Sequence, residues 1–189
     1  MSELADKKGF LYRTAVFAVL TAVYLIVSIP FKIMEIIPGF TDIRPVSMLM
    51  PVYGIFFGIP GCMAYAVGNL ITDIISDSLK WSSIAGFAAN FIGPFCYYLF
   101  WTRLSKQSFD LRKPKNILIH TAVIAVDALI VAGIITPSVA LSYPEVNSWV
   151  FFSVVLANSS LFPFFIGIPL IILMQDELDF SPIKRKNTT

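Results

Sequence analysis

Asn69, Asp73 and Asp77 stand four residues apart behind Gly68, in a stretch that is otherwise apolar. At helical spacing they share one face. An acid well inside an apolar span costs about 2.5–3.5 kcal/mol on insertion scales. Such a group persists where it faces a cavity or a partner. Two readings follow for Asn69 and Asp73. They form one polar wall of a substrate or ion site, or they make structural hydrogen bonds to another helix, with Arg44 a candidate partner for Asp73. Asp77 falls close to the end of the stretch, where solvation alone accounts for it.

Other apolar stretches carry polar groups at similar depth. Asn90 lies midway along one, Asp127 midway along another, and Asn158-Ser159-Ser160 near the middle of the last. One such group is often glue between helices, worth about 0.6 kcal/mol. Four on different helices suit a lined pocket. Asp127 has three open readings: it binds a substrate, pairs internally or stays protonated. Trp81, Tyr143 and Trp149 flank span ends, as an interfacial aromatic belt would. Trp81 is also placed among the pocket residues. Lys80, Arg44, Asp42 and Glu145 either gate a pocket mouth or are solvated.

The chain offers little for bond-making chemistry. It has no GxxxxGK[ST], HExxH or GxSxG motif, one histidine (His120) and two cysteines. No catalytic residue, metal site or cofactor is therefore assigned. Cys62 and Cys96 lie inside apolar stretches and read as small buried hydrophobes. Two competing functions are an intramembrane enzyme using Asp73 and Asp127 as paired acids, and a structural protein of the envelope with no pocket.

The elements that must position these groups are membrane helices. Of the 189 residues 57% are hydrophobic and 14% charged, and mean hydropathy is +0.77. A soluble domain carries roughly a quarter charged residues. This chain has too little polar surface to face water, so lipid must cover it. The basic residues form no continuous stripe, which leaves no case for nucleic acid. The pattern predicts an all-α integral membrane protein of six transmembrane helices, near 12–34, 45–59, 60–78, 81–104, 117–143 and 148–174. The second is short, and Gly58-Ile59-Pro60-Gly61 carries no charge, so the second and third predict a tight, deep hairpin or a tilted or broken segment. Pro38-Gly39 and the run Tyr143 to Asn147 read as turns. The first stretch is long for a signal peptide and reads as a retained helix.

Lys and Arg set the orientation. With six spans, eleven of the 14 fall on the side of both termini: Lys7, Lys8, Arg13, Arg103, Lys106, Arg112, Lys113, Lys115, Lys184, Arg185 and Lys186. Only Lys32, Arg44 and Lys80 fall on the other. Both termini are expected in the cytoplasm. The whole chain, 1–189, reads as one membrane domain, with a cytoplasmic N-terminus (1–11), a six-helix bundle (12–174) and a cytoplasmic tail (175–189).

Small residues form stripes: Ala18 and Ala22 with Thr14, Gly54 and Gly58, and Ala85, Ala89 and Gly93. They pack helices closely or offer a docking face. The run from Ala18 to Ala22, and the block from Asp42-Ile43-Arg44-Pro45 through Gly68-Asn69 to Asp73, resemble the S components of energy-coupling factor (ECF) vitamin transporters, close to their queuosine-precursor and riboflavin branches. The resemblance implies capture of a vitamin or related micronutrient from outside, a queuine-like base or riboflavin foremost. It implies a lid over Glu35 to Asp42, and a pocket holding Arg44, Asn69, Asp73, Asn90, Asp127 and Asn158. It implies docking through Ala18 and Ala22 on a transmembrane coupling protein driven by two ATPases, in a bacterial cell membrane. ATP would be used by those partners, and the chain would need no cofactor.

Overall fold

The computed structural model describes residues 2–32, 34–37, 40–105 and 109–177, with side chains from residue 9 onward. Lys106, the Pro38-Gly39 turn and Lys184, Arg185 and Lys186 lie outside the described residues, as do the side chains of Lys7 and Lys8. Helix α1 spans Ser2–Ser28 and closes with a 3-10 turn, Ile29–Phe31. A short antiparallel ribbon follows, β1 (Glu35–Ile37) and β2 (Thr41–Asp42), pairing Glu35 with Asp42. This ribbon is the one departure from an all-helical chain among the described residues. Then come a 3-10 turn (Pro45–Met48), α2 (Leu49–Val52), a π-helical turn (Tyr53–Phe57) and α3 (Gly58–Ile75). Helix α4 spans Ser82–Leu99 and ends in a second π turn, Phe100–Leu104. Helix α5 is Pro114–Ser142, and α6 (Ser148–Phe162) continues through a third π turn (Pro163–Gly167) into α7 (Ile168–Asp176).

Five helical stretches are long and apolar enough to cross a membrane: Gly9–Phe31, Pro45–Ile75, Ser82–Leu104, Pro114–Ser142 and Ser148–Asp176. The second is not a straight rod. Gly58 has φ 57°, a left-handed value that a residue with a Cβ rarely adopts, and the chain reverses there. The limbs then run side by side. The Tyr53 and Tyr65 rings lie 5.8 Å apart, the Tyr65 hydroxyl donates to the Val46 carbonyl at 3.5 Å, and Arg44 reaches Asn69. Gly58 is thus the turn itself and belongs to no packing stripe. Its expected stripe partner Gly54 lies against the Pro94 carbonyl of α4. At helical rises the Pro45–Phe57 limb is about 21 Å long, short of the ~30 Å hydrocarbon core.

The remaining contacts order the bundle. Helix α1 runs beside α3: the Leu20 carbonyl accepts from the Tyr53 hydroxyl at 2.6 Å, Tyr24 bonds Asn69, and Lys32 bonds Asp73. Helix α4 carries Asn90 towards that end, and the π turn that closes it carries Trp101 at the other, where the Trp101 indole donates to His120 of α5 at 3.1 Å. Helix α5 returns with Ile135 and Val139, and α6 leads back down to Gln175, which bonds the Leu111 amide. So α1 starts, and α7 ends, at the same end of the bundle. The core is aromatic between α1 and α3, with Tyr24, Tyr53, Tyr65 and Tyr97 fully buried. Cys62 is buried, Cys96 half-buried, and both are free thiols. Large apolar side chains such as Val19, Ile26, Ile84, Val126 and Leu129 are exposed outward, as lipid contact requires.

Candidate functional site

A cavity of about 120 Å³ opens at the end of the bundle where α1 and α3 finish. Its polar side comes from Lys32, Asp42, Arg44, Asn69, Asp73 and Asn90. Its apolar side comes from Ile135 and Val139 of α5 and Phe151 and Val155 of α6. The ribbon covers it with Glu35, Phe40 and Thr41. Serines at the α3–α4 link, Ser76, Ser78, Ser82 and Ser83, complete the rim.

The polar side is one continuous network. Asn69 sits behind Gly68, where the Tyr24 ring lies so close that a Cβ would come within 2.6 Å of it. The missing side chain lets Tyr24 reach across. Its hydroxyl donates to Asn69 Oδ1 at 3.2 Å, and Arg44 Nη2 donates both to that hydroxyl, at 3.1 Å, and to Asn69 Oδ1. Asn69 Nδ2 in turn donates to Asp73 Oδ2 at 3.2 Å. Lys32 Nζ bonds Asp73 Oδ1 at 2.8 Å and lies 3.5 Å from Asp42, which also lies 3.9 Å from Arg44. Three acids (Glu35, Asp42 and Asp73) face three bases (Lys32, Arg44 and Lys80) around the hollow, so it carries no formal net charge. Lys32 and Asp73 form the closest ion pair of the set, at 2.8 Å, and Asp42 lies between Lys32 and Arg44.

Of the residues singled out in the sequence, the structure brings Arg44, Asn69, Asp73 and Asn90 together around the cavity. Asn90 anchors its amide on the Gly86 carbonyl at 2.7 Å. The other three go elsewhere. Asn158 is buried behind the ribbon, accepting from the Arg44 amide at 3.2 Å and donating to the Asp42 carbonyl at 2.9 Å. It holds the backbone that presents Arg44. Asp127 is fully buried between α5 and α4, beside Tyr97 and Cys96, and neither oxygen makes a hydrogen bond of ordinary geometry. Trp81 is 79% exposed on the rim and lines a separate groove. Asp73 pairs with Lys32 and Asn69, so the sequence reading that paired it with Arg44 is replaced. Arg44 reaches the same network through Asn69.

Lys32, Phe40 and the serine rim were not legible as site residues. Lys32 reads as an ordinary flanking charge, because its partners Asp42 and Asp73 are distant in sequence. The Ser76-Asp77-Ser78 and Ser82-Ser83 runs were the available signal: hydroxyls gathered at one span junction. Asp77 is exposed, with φ 50°, and ends α3 as a turn residue. At the opposite end of the bundle Arg112 Nε donates to Asp110 at 2.8 Å, and this bond holds the Asp110 carboxyl below its usual range.

The described fold is thus a bundle of membrane-type helices with a polar hollow at one end, roofed by a ribbon. The QueT transporter family model matches residues 14–176, and the chain belongs to that family, a family of S components. It is a transport protein and not an enzyme, which sets aside the paired-acid reading. The geometry agrees, since Asp73 faces the cavity in an ion pair while Asp127 is packed away from it. No match is found among curated proteins.

Proposed function

We propose that the chain is the substrate-binding subunit of an ATP-driven ECF importer, and that it captures a queuine-like base from outside the cell. The observation that carries this reading is the cavity: small, formally neutral, half polar and half apolar. An apolar hollow of roughly 150 Å³ holds a single benzene ring. At about 120 Å³ the hollow is smaller than that, so any such ligand needs the ribbon to move outward, and a two-ring base needs less room than a three-ring flavin with its side chain. Carboxylate, amide and guanidinium groups on one wall suit a hydrogen-bond-rich heterocycle, and the wall from α5 and α6 suits its flat face.

The six-span topology fits this role. Its crossings are α1, the short Pro45–Phe57 limb, α3, α4, α5 and α6–α7, with both termini in the cytoplasm of a bacterial cell. The 11-to-3 division of Lys and Arg supports that orientation, and so does the placement of the described ends of α1 and α7 away from the cavity. Ala18 and Ala22 are exposed on the outer face of α1. That face would dock on a transmembrane coupling protein carrying two ATPases, which supply the energy.

Native mass spectrometry of the purified protein, with and without added queuine, tests the substrate. A bound mass equal to the base is expected, and absence of binding overturns the assignment. A yellow sample with flavin absorbance would favour riboflavin instead. Ala18→Trp and Ala22→Trp should abolish uptake while queuine binding persists. Loss of both together would remove the docking role.

A further inference from the structure

Lys80 sits on the short link between α3 and α4. Its ammonium lies 3.8 Å from the centroid of the Phe40 ring and 5.1 Å from that of Tyr143. The two rings meet edge to face at 5.0 Å. Phe40 belongs to the ribbon and Tyr143 follows α5, so three connections converge on one cation. The Lys80 amide donates to Ser83 Oγ at 3.1 Å, which fixes the link to the first turn of α4. Among the described residues the ammonium meets ring faces and no carboxylate.

Lys80 also separates two spaces. On one side it lines the cavity. On the other it lines an apolar groove with Leu79, Trp81, Ile84, Phe87 and Tyr143. The two edges of the ribbon are held differently. The Asp42 edge is tied by Lys32, Arg44 and Asn158 through ion pairs and hydrogen bonds. The Phe40 edge is held at Lys80 through ring faces. One edge is tied by polar groups, while at the other Ile37, Phe40 and Tyr143 pack against the apolar cluster of Val139, Phe151 and Val155 and Lys80 caps the rings.

We propose that Lys80 is the latch of the cavity: its cation–π contact with Phe40 and Tyr143 holds the ribbon closed, and breaking it opens the hollow towards the groove beside Trp81. This rests on the reading of the cavity as the ligand site, and it adds the residue that sets how fast the cavity opens. A cation–π contact of this kind corresponds to about a 2- to 30-fold change in the closed-to-open ratio. The contact adds to the apolar packing of Phe40, so its loss shifts the ratio without unseating the ribbon.

The test needs no ligand. Gly86 lines the cavity, is buried, and a Cβ built on it meets nothing within 4 Å. Gly86→Cys in a Cys62→Ala, Cys96→Ala background therefore places one thiol inside the hollow. A membrane-impermeant methanethiosulfonate should label it about 2- to 30-fold faster when Lys80→Met is added. Lys80→Arg, which keeps a cation for the rings, should label at close to the parental rate. Equal rates for the Lys80→Met and parental proteins would overturn the latch. Phe40→Leu removes the ring while keeping the charge. It should speed labelling as Lys80→Met does, and it decides the matter if Lys80→Met does not reach the membrane; an unchanged rate there also overturns the proposal. If the substrate assignment alone is at fault, queuine will not bind the parental protein, yet the labelling rates will still separate.

Discussion

Two groups of polar side chains lie in or against the apolar spans, and they are built on opposite terms. Around the cavity Lys32, Asp42, Arg44, Asn69 and Asp73 form a linked set in which every charge has a partner. Between α4 and α5, Asp127, Tyr97 and the outer nitrogen of His120 are buried without hydrogen bonds of ordinary geometry. The first set adjoins an open hollow and the second adjoins none of the described cavities. Depth along a span therefore does not tell which polar groups reach the hollow. What separates the two groups is convergence of partners from distant segments around an open space.

The comparison breaks most visibly at Arg44. Arg44→Met removes the donor to Asn69 and Tyr24 and leaves Asp42 with one cation fewer. Truncating one partner of a hydrogen-bonded charge pair at a binding surface costs about 2–5 kcal/mol, so affinity for added queuine should fall at least ~30-fold, read by isothermal titration. The hairpin that brings Arg44 beside Asn69 comes next. Gly58→Ala forces a Cβ into the left-handed region at a cost of about 1–2 kcal/mol, which should lower the melting temperature by several degrees in detergent. Asp127→Asn sharpens the contrast. It keeps shape and leaves the cavity lining intact, so affinity should stay within about 2-fold while stability shifts by about 1 kcal/mol or less. An affinity loss like that of Arg44→Met would erase the distinction between the two groups. The smallest effect is expected at Asp110→Asn. The Asp110 carboxyl is held below its usual range, so its pair with Arg112 contributes at neutral pH and that contribution fades as pH falls through the lowered value. For an exposed pair the melting temperature at pH 7 should barely move, and the variant and parent should converge on acidification.

Much of this plan can be read from composition and spacing. The apolar stretches, the shortness of the segment after Arg44 and the shared face of Asn69 and Asp73 all carry through to the structure. Gly58-Ile59-Pro60-Gly61 already signals the reversal. What the pattern does not carry is rotation. Helices α5 and α6 are apolar on all sides, so no periodicity says which way Asp127 or Asn158 points. Asn158 turns to the ribbon backbone and Asp127 to α4, for reasons set by neighbours distant in sequence. Lys32 escaped notice on the same grounds: its role exists only once α1 and α3 lie in register. Trp81 is exposed and lines the separate groove, not the cavity in which the sequence reading placed it.

Tyr24 makes that register rigid. One face of its ring rests on Gly68, its hydroxyl is gripped by Arg44 and Asn69, and within two turns on the outer side of the same helix stand Ala18 and Ala22. The outer surface of α1 and the polar wall of the hollow are thus one side chain apart, and a displacement of this helix carries the Tyr24 hydroxyl, and its bonds to Asn69 and Arg44, with it.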